Sequence, residues 1–531
     1  MPFSLLIFFI SITGILLVDV FGNYDVSQLS FFLTLLTPFF LFLSTKIEKK
    51  KIYIPLYETI LYLLFIIFSI ISAFFAIDKE IAFKGLLLYG AGYLFFVFCF
   101  NYQESFNKYF KWFLIIISLF FFLIFLVDKV FHLNLFTGEA SVFYTGYQHN
   151  QLGNLLALSF IVTFPNILSF FFFIGVLFSC SRTTYFALFL MIIIQTLRNK
   201  IEKKSLIIGI FLILIIGLFY FLVSKNILFT KYKNTFGNRD IYFSYALSSI
   251  RELPLFGVGP RNFYYAASKR MINYGKYTTT AHNIILDILT ENGVLAGTFF
   301  MLFILLIIYK RKKNTNFLLF LALSLMFMSD FIFRFNIFLI LWFVFGGLTL
   351  DSKKKIKLDI IIPSLAIFIG FHVILFGQIL LNQDLWRQSL LVYPLQKKAY
   401  ETAIEENIRQ KDKQQAYYFL QKYDKLFSQC YNVILKEIDY YQAFGEKNKV
   451  AILYQQAILS RPLGDIKTLK NMRDFYIELY GNEKANKKME EILRQVKDLY
   501  LKNDRNSDLF KQINSFCLKA NLNCLLSYSH F

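Results

Sequence analysis

Long runs of apolar residues recur from the N-terminus to about residue 381. Most are about 17 to 25 residues long, and a helix of that length crosses a hydrocarbon core of roughly 30 Å. The pattern predicts thirteen transmembrane helices, near 3–21, 27–44, 54–76, 81–100, 112–127, 152–165, 166–180, 183–197, 205–223, 283–309, 316–333, 335–350 and 360–381. The pair 152–165 and 166–180 is the least regular, because Pro165 and Asn166 leave only a short turn between two short runs.

After residue 382 the long apolar runs stop, and the chain has the pattern of soluble amphipathic helices. One stretch has the spacing of the second helix of a tetratricopeptide unit, at Val450, Tyr454, Ala457 and Pro462. The sequence therefore predicts an all-α protein with a transmembrane helical bundle over 1–382. It further predicts a C-terminal domain over 383–531 that is an α-solenoid of about three helix pairs, with an unspecific helical bundle as the alternative.

Composition and charge agree with a membrane protein, because 56% of the residues are hydrophobic and only 17% are charged. A net charge of +21 suggests nucleic acid in a soluble protein, but here much of it lies in four short clusters, Lys46–Lys51, Arg198–Lys204, Lys310–Lys313 and Lys353–Lys357. The positive-inside rule makes all four cytoplasmic. With an odd number of spans, the C-terminal domain is then expected on the periplasmic, or outer, side of a bacterial inner membrane, and no nucleic-acid partner is expected.

The predicted outer loop 224–282 is basic, against the positive-inside tendency. Between Lys225 and Lys276 it has nine basic residues and two acidic ones. Arginine suits two-pronged binding of phosphate oxygens, and Arg261 directly follows a Gly-Val-Gly-Pro turn at 257–260. An external anion is the explanation we favour. The alternative is that a loop of this length is translocated with little regard to its charge.

His282 ends this loop at the predicted membrane surface, and Asn283 and an apolar run follow it. A neutral imidazole there can accept a proton from an attacking hydroxyl near pH 7, although a lone histidine is more often structural. No nucleophilic triad and no metal-ligand spacing is evident in the sequence. His282 is therefore the candidate general base.

Charged residues inside predicted spans need a partner or a wet cavity. Lys84 lies near the outer end of its span, where it either adds to an anion site or snorkels to the surface. Asp287 and Glu291 lie four residues apart on one helix face. We expect one of these carboxylates to pair with Arg334 or Lys84.

The five cysteines leave the redox state open. Cys99 and Cys180 fall in or at the ends of spans, where cysteine is often a small buried hydrophobe. Cys430, Cys517 and Cys524 lie in the C-terminal domain. In an oxidising compartment Cys517 and Cys524 can pair; otherwise they are free thiols in helices.

Several short motifs occur in an order that resembles the O-antigen ligase and O-antigen polymerase superfamily. They are Gly146-Tyr147-Gln148-His149-Asn150-Gln151-Leu152-Gly153, Ser181-Arg182 at the start of a span, Arg239, Pro254-Leu255-Phe256-Gly257-Val258-Gly259-Pro260, and Ala281-His282-Asn283 followed by Glu291-Asn292-Gly293 and Gly297. Each motif is short, but their order, spacing and position relative to the spans agree. The resemblance covers about residues 1 to 350.

The resemblance implies an inverting, metal-independent glycosyltransferase without a cofactor. Such an enzyme takes a glycan from an undecaprenyl-diphosphate carrier in the membrane lipid and moves it to an acceptor hydroxyl. Arg182 and Arg239 would then bind the diphosphate, and His282 would be the essential histidine. Supporting residues at the motif positions would be Asn150, Asn283 and Glu291. Arg261 departs from the family pattern, in which that position is commonly small or polar.

The sequence leaves four functions open. The first is a ligase that transfers a finished oligosaccharide to a lipid A core or to a protein Ser or Thr, and its near relative is a polymerase that extends the glycan on its own lipid carrier. A transporter or flippase should show internal repeats or paired broken helices near mid-bilayer, and no convincing inverted repeat is found in the sequence. A non-enzymatic assembly scaffold built around the C-terminal helices is the last.

Overall fold

The computed structural model describes residues 1–21, 27–131, 148–164, 166–179, 181–198, 212, 214–215, 217, 239–268, 278–312, 314–428, 431–460, 466–500, 515–517, 520 and 522. Over these residues the protein is almost entirely helical, with one short pair of strands. The predicted all-α class is therefore confirmed.

The N-terminal part is a bundle of mostly apolar helices. They are α1 (Phe3–Phe21), α2 (Ser27–Ile47), α3 (Leu56–Phe74), α4 (Lys79–Asn101), α5 (Gln103–Phe131), α6 (Gln148–Thr163), α7 (Ile167–Ser179), α8 (Arg182–Arg198), α9 (Arg239–Glu252), α10 (Phe263–Ser268), α11 (Ile284–Tyr309), α12 (Thr315–Ser329), a 3-10 turn (Ile332–Arg334), α13 (Asn336–Thr349) and α14 (Ile361–Asn382). Among the described residues, six helices are long and apolar enough to cross a membrane and five more are apolar but shorter. Every predicted span overlaps a helix except 205–223, which lies almost wholly outside the described residues. The total of thirteen spans stays a prediction.

Helix α6 has polar residues that are buried against other helices of the bundle. Its Gln151, Asn154, Ser159 and Thr163 are all buried. The Ser159 hydroxyl lies 2.6 Å from that of Ser118 on α5. Hydrogen bonds of this kind join helices inside a bilayer, where water does not satisfy polar groups.

Three of the four basic clusters meet at one end of the bundle. Strands β1 (Tyr53–Pro55) and β2 (Lys355–Lys357) pair antiparallel, with Ile54 opposite Ile356, and so join the clusters at 46–51 and 353–357. The third cluster joins them because Lys310 lies 3.2 Å from the buried carboxylate of Glu58, which follows β1. The fourth cluster lies, after Arg198, outside the described residues. One common end is the arrangement that the positive-inside rule requires.

The C-terminal helices dock at the opposite end of the bundle. They are α15 (Trp386–Val392), α16 (Lys397–Arg409), α17 (Lys413–Leu426), α18 (Tyr431–Ala443), α19 (Lys447–Ser460), α20 (Ile466–Tyr480) and α21 (Asn482–Tyr500). From α16 onward each helix packs against the next. Val450, Tyr454 and Ala457 lie in a core that α18 to α21 share, while Pro462 lies outside the described residues. The repeat assignment itself stays a prediction.

Two of the cysteines are described. Cys99 is a buried free thiol within α4, as expected for a small buried hydrophobe. Cys517 is buried in the C-terminal core and is disulfide-bonded. Cys524, which the sequence suggests as its partner, lies outside the described residues.

The two ends of the bundle should face opposite compartments, and cysteine labelling in intact cells tests this. Lys398 at the C-terminal end is 69% exposed at its side chain, and Lys355 at the basic end is also exposed. We expect a membrane-impermeant maleimide to label Lys398→Cys directly and to label Lys355→Cys only after permeabilisation, with the parent protein as background. Direct labelling at position 355, or protection at 398, would contradict the predicted orientation.

Candidate functional site

Helix α11 is interrupted at Gly293, which has φ of 81° and ψ of 172°. A break inside a membrane helix leaves backbone groups that need other partners. The loop 254–261 provides them. The amides of Val258 and Gly259 donate to two α11 carbonyls just before the break, over 3.0 and 2.8 Å, and the Val294 amide just after it donates back to the loop over 2.8 Å. The break is therefore the place where this loop docks.

Two glycines of the sequence motifs make this docking possible. A Cβ atom on Gly257 would lie 2.4 Å from the carbonyl oxygen of Thr290, and one on Gly293 would lie 2.1 Å from that of Leu255. Both glycines also have positive φ, which other residues rarely adopt. The two glycine motifs thus mark the two sides of one backbone contact.

Arg334 joins two carboxylates on the N-terminal part of α11. Its Nη2 lies 2.7 Å from Asp287 Oδ2 and 2.5 Å from Glu291 Oε1. Glu291 also accepts hydrogen bonds from the backbone amides of Arg261 and Phe263, over 3.0 and 3.2 Å. The sequence predicts that one of these carboxylates pairs with Arg334 or Lys84. In the structure, both of them pair with Arg334.

A cavity of about 20 Å³, enough for a single water molecule, lies beside Arg334 and is lined by both polar and apolar side chains. We call its polar lining residues the arginine cluster: Tyr89, Arg261, Asp287, Glu291 and Arg334. Burial disfavours the charged form of Arg334, but the attraction of Glu291 and Asp287 outweighs it and raises the pKa of the guanidinium. Arg334 is therefore a permanent positive charge at this position.

The arginine cluster also sets the backbone at His282, which has a positive φ of 57°. Asp287 accepts hydrogen bonds from the Ala281 amide and from the Thr280 hydroxyl, both over 2.6 Å. The His282 amide in turn donates to the Thr280 hydroxyl over 3.1 Å. The turn that carries His282 is thus held by the same carboxylate that pairs with Arg334.

The imidazole of His282 is fixed by two aromatic rings. Tyr242 stacks on it at 5.2 Å between ring centres, and Phe331 meets it edge to face at 5.0 Å. Its Nδ1 lies 3.6 Å from Asp330 Oδ1, beyond hydrogen-bond length but close enough for an ion pair once the ring is protonated. The side chain is 21% exposed, so a reactant can still reach it.

Asp330 connects His282 to the start of helix α8. Its Oδ2 accepts a hydrogen bond from Thr183 over 3.1 Å. The next residue, Thr184, has its hydroxyl 2.7 Å from Asn154 Oδ1 on α6. We call the group around the imidazole the histidine cluster: Thr183, Tyr242, His282, Asp330 and Phe331. Through it, α6 and α8 approach the histidine.

Each of the two candidate diphosphate ligands lies close in sequence to a residue of the histidine cluster. Arg182 begins α8 immediately before Thr183, although its side chain lies outside what the structure describes. Arg239 is partly buried in the first turn of α9, three residues before Tyr242 and hence on the same side of that helix. Residues 182, 239 and 282 therefore lie in one region of the fold, although they are far apart in the sequence.

The remaining candidates have partners of their own. Lys84 forms an ion pair of 2.6 Å with Glu80, one helical turn earlier on α4. Within the arginine cluster, the guanidinium of Arg261 lies 3.5 Å from the Arg334 carbonyl. Neither contact involves His282.

The candidate supporting residues differ in what they contact. Asn283 caps α11 by accepting the amides of Ile285 and Leu286, over 3.0 and 3.1 Å. Glu291 anchors the loop as described above. Asn150 is partly buried, one helical turn before Asn154.

Sequence reasoning missed four residues of the histidine cluster: Thr183, Tyr242, Asp330 and Phe331. A signal existed for Asp330, since it is an ionisable residue near the end of the predicted span 316–333, where such residues are usually functional or paired. For the two aromatic residues the sequence contains no comparable signal, because more than a hundred tyrosines, phenylalanines and tryptophans occur in the chain.

Comparison with known proteins identifies the central segment. The family model Wzy_C, described as O-antigen ligase, matches residues 167–301. The matched segment contains Arg182, Arg239, His282 and the contact between the loop and the α11 break, and it ends before Asp330. No curated protein and no solved structure matches the chain. Among the described residues, no three His, Cys, Asp or Glu side chains lie close enough together to hold a metal ion.

Replacing Arg334 by leucine should destabilise the fold. It leaves two buried carboxylates without their counter-ion, and removing one partner of a buried ion pair costs about 3–5 kcal/mol. We expect a clear fall in the thermal unfolding midpoint of the purified protein in detergent. Arg311→Leu, an exposed arginine at the basic end, is the matched control and should change it little. Equal unfolding midpoints for both variants would show that Arg334 is not the central support of this region.

Proposed function

Because the chain belongs to the O-antigen ligase superfamily, we propose that it transfers an oligosaccharide from an undecaprenyl-diphosphate carrier to an acceptor hydroxyl, with inversion and without a metal. The reaction would take place at the outer face of the bacterial inner membrane. The observation that carries the proposal is the histidine cluster, in which a partly exposed imidazole is held beside a carboxylate and next to two chain segments that begin with arginine.

In the proposed reaction the acceptor oxygen attacks the anomeric carbon of the glycan from the side opposite the diphosphate. A carbon–oxygen bond forms there while the bond to the diphosphate oxygen breaks, and undecaprenyl diphosphate departs with the bonding electron pair. The proton of the acceptor hydroxyl goes to His282 as general base. The diphosphate is a good leaving group, so the protein needs only to position the acceptor and neutralise the developing charge.

The surroundings of His282 suit a general base. With Nδ1 directed to Asp330 at 3.6 Å, Nε2 is left to accept the proton. The carboxylate then stabilises the imidazolium that forms, as the aspartate of a serine-protease triad does. Tyr242 and Phe331 hold the ring plane, so that its orientation is set before the acceptor arrives.

We assign Arg182 and Arg239 to the diphosphate. Each stands in the first turn of a helix, where the helix dipole and the unpaired backbone amides attract anions. A guanidinium can bind two phosphate oxygens at once and stabilise charge on the leaving group. We assign Arg261 and Lys84 a smaller part, as contributors to positive potential near the outer end of α4, because each already lies close to a carboxylate.

A ligase is preferred over a polymerase because a separate helical domain docks at the same end of the bundle as His282. Such a domain provides room to receive a large acceptor, which we propose to be a lipid A core or a protein. The two activities differ in product: a ligase places the glycan on that acceptor, whereas a polymerase lengthens the glycan on the lipid carrier. Electrophoresis of the products made from a purified lipid-linked donor separates them.

A transporter remains the alternative of another class, since transporters bind substrate at broken helices. Helix α11 is broken at Gly293, but loop 254–261 of the same chain already occupies the backbone groups that the break releases. This observation favours a docking role for the break over a substrate site. Flipping of a lipid-linked sugar in vesicles, without glycan transfer, would reverse the ranking.

Replacing His282 should abolish transfer while the protein stays folded. Neither His282→Gln nor His282→Ala has a group that can accept a proton from the acceptor, although glutamine keeps the size and hydrogen bonding of histidine. We expect loss of glycan transfer from lipid-linked donor, with normal membrane insertion. His372→Gln, at an exposed position of α14, is the control and should transfer normally. Wild-type transfer by His282→Ala would remove His282 from the mechanism.

Replacing Arg239 should weaken the transition state at the diphosphate. Losing one such contact costs on the order of 3 kcal/mol, which is about a hundredfold in kcat/KM. Arg239→Ala is expected to show this loss in a transfer assay with saturating acceptor. Arg251→Ala, at an exposed position of the same helix, should stay close to wild type. Similar losses in the two variants would point to the helix, rather than to a diphosphate contact.

A further inference from the structure

Asp78, at the outer end of α4, is a buried carboxylate shared between three parts of the chain. It is 1% exposed and caps α4 by accepting the Ile81 amide over 3.1 Å. Its other oxygen accepts a hydrogen bond from the Tyr265 hydroxyl over 2.9 Å and lies 3.2 Å from the ammonium of Lys397. One carboxylate therefore contacts the start of a membrane helix, helix α10 after the site loop, and the C-terminal domain.

Lys397 is the first residue of α16 and meets α4 at two points. Besides the ion pair with Asp78, its backbone amide donates to Glu80 over 2.9 Å. Its side chain is only 19% exposed. The neighbouring Lys398, in contrast, is 69% exposed and pairs with Glu401 of its own helix. Lys397 is thus part of the domain contact, and Lys398 lies on the surface.

The loop beside Asp78 is held on two sides. On one side, the Asn262 side chain accepts the Asp78 amide over 3.0 Å and donates to the Asp78 carbonyl over 3.1 Å. On the other side, Glu291 of α11 accepts the amides of Arg261 and Phe263. The segment 257–265 is therefore clamped between the C-terminal contact and the arginine cluster, which in turn holds the His282 turn.

We propose that Lys397 is a positioning residue, through which the docked C-terminal domain holds segment 257–265 in the arrangement required for transfer. The domain is then an integral part of the transfer site. This inference rests on the proposed function. Its physical basis is that Asp78, once deprived of the ammonium, is a buried charge with too few partners, and it relaxes towards water, which strains its hydrogen bond with Tyr265 and the contacts of its backbone with Asn262. Glu291 and Arg334 pass that displacement to the turn that carries His282.

The test compares Lys397→Met, Lys397→Arg and Lys398→Met in the full-length protein. The first measurement is amide hydrogen exchange in peptides covering 257–265 and 278–282, and the second is steady-state glycan transfer. We expect Lys397→Met to speed exchange in both segments about tenfold and to lower kcat about tenfold, a size typical of coupling through a packed network. The KM for the lipid-linked donor should change little, because Arg182 and Arg239 lie on other helices.

Lys397→Arg restores the charge and should restore both kcat and slow exchange, while Lys398→Met should match wild type. Exchange in α17 and α19 should be unchanged in all variants, which separates the proposed effect from unfolding of the domain. Wild-type kcat in Lys397→Met, or a lower kcat with unchanged exchange in 257–265, would overturn the proposal. If wild-type protein transfers no glycan at all, the proposed function fails, and the exchange measurement alone decides whether Lys397 holds the segment.

Discussion

The ion pairs of Arg334 are the interaction on which this end of the molecule depends. Two carboxylates one helical turn apart would repel each other and be costly to bury, so each needs the guanidinium between them. Each also accepts backbone amides from a different loop: Asp287 from the His282 turn, and Glu291 from the segment after Gly259. A single positive charge thereby sets the position of two loops relative to one helix.

The interruption of α11 is the second constraint, and it explains the docked loop 254–261. A continuous helix offers no free backbone groups to a neighbouring segment inside the bilayer. By breaking at Gly293, α11 presents carbonyls to the loop amides, and the membrane environment makes that pairing obligatory. Irregular backbone and buried charge therefore occur together here because each supplies partners for the other.

Much of the bundle could be predicted from the sequence, because membrane helices need long apolar runs and basic clusters mark their ends. The pairing of Asp287 and Glu291 with Arg334 could also be anticipated, since helix periodicity and the cost of buried charge both act locally. The stacking of Tyr242 on His282 and the contact of Asp330 with the imidazole could not be predicted from the sequence. They join positions 40 or more residues apart, and only the packing of whole helices determines them.

The backbone of His282 has a consequence for how this protein tolerates change. Its φ of 57° lies in the left-handed region, which glycine and asparagine adopt more readily. Most other residues are strained there by roughly 1 kcal/mol. Folding alone therefore favours a different residue at the position that we assign to catalysis. A programme of thermostabilisation guided only by backbone strain would select position 282 early, and its most stable variants would be the ones that had lost their chemistry.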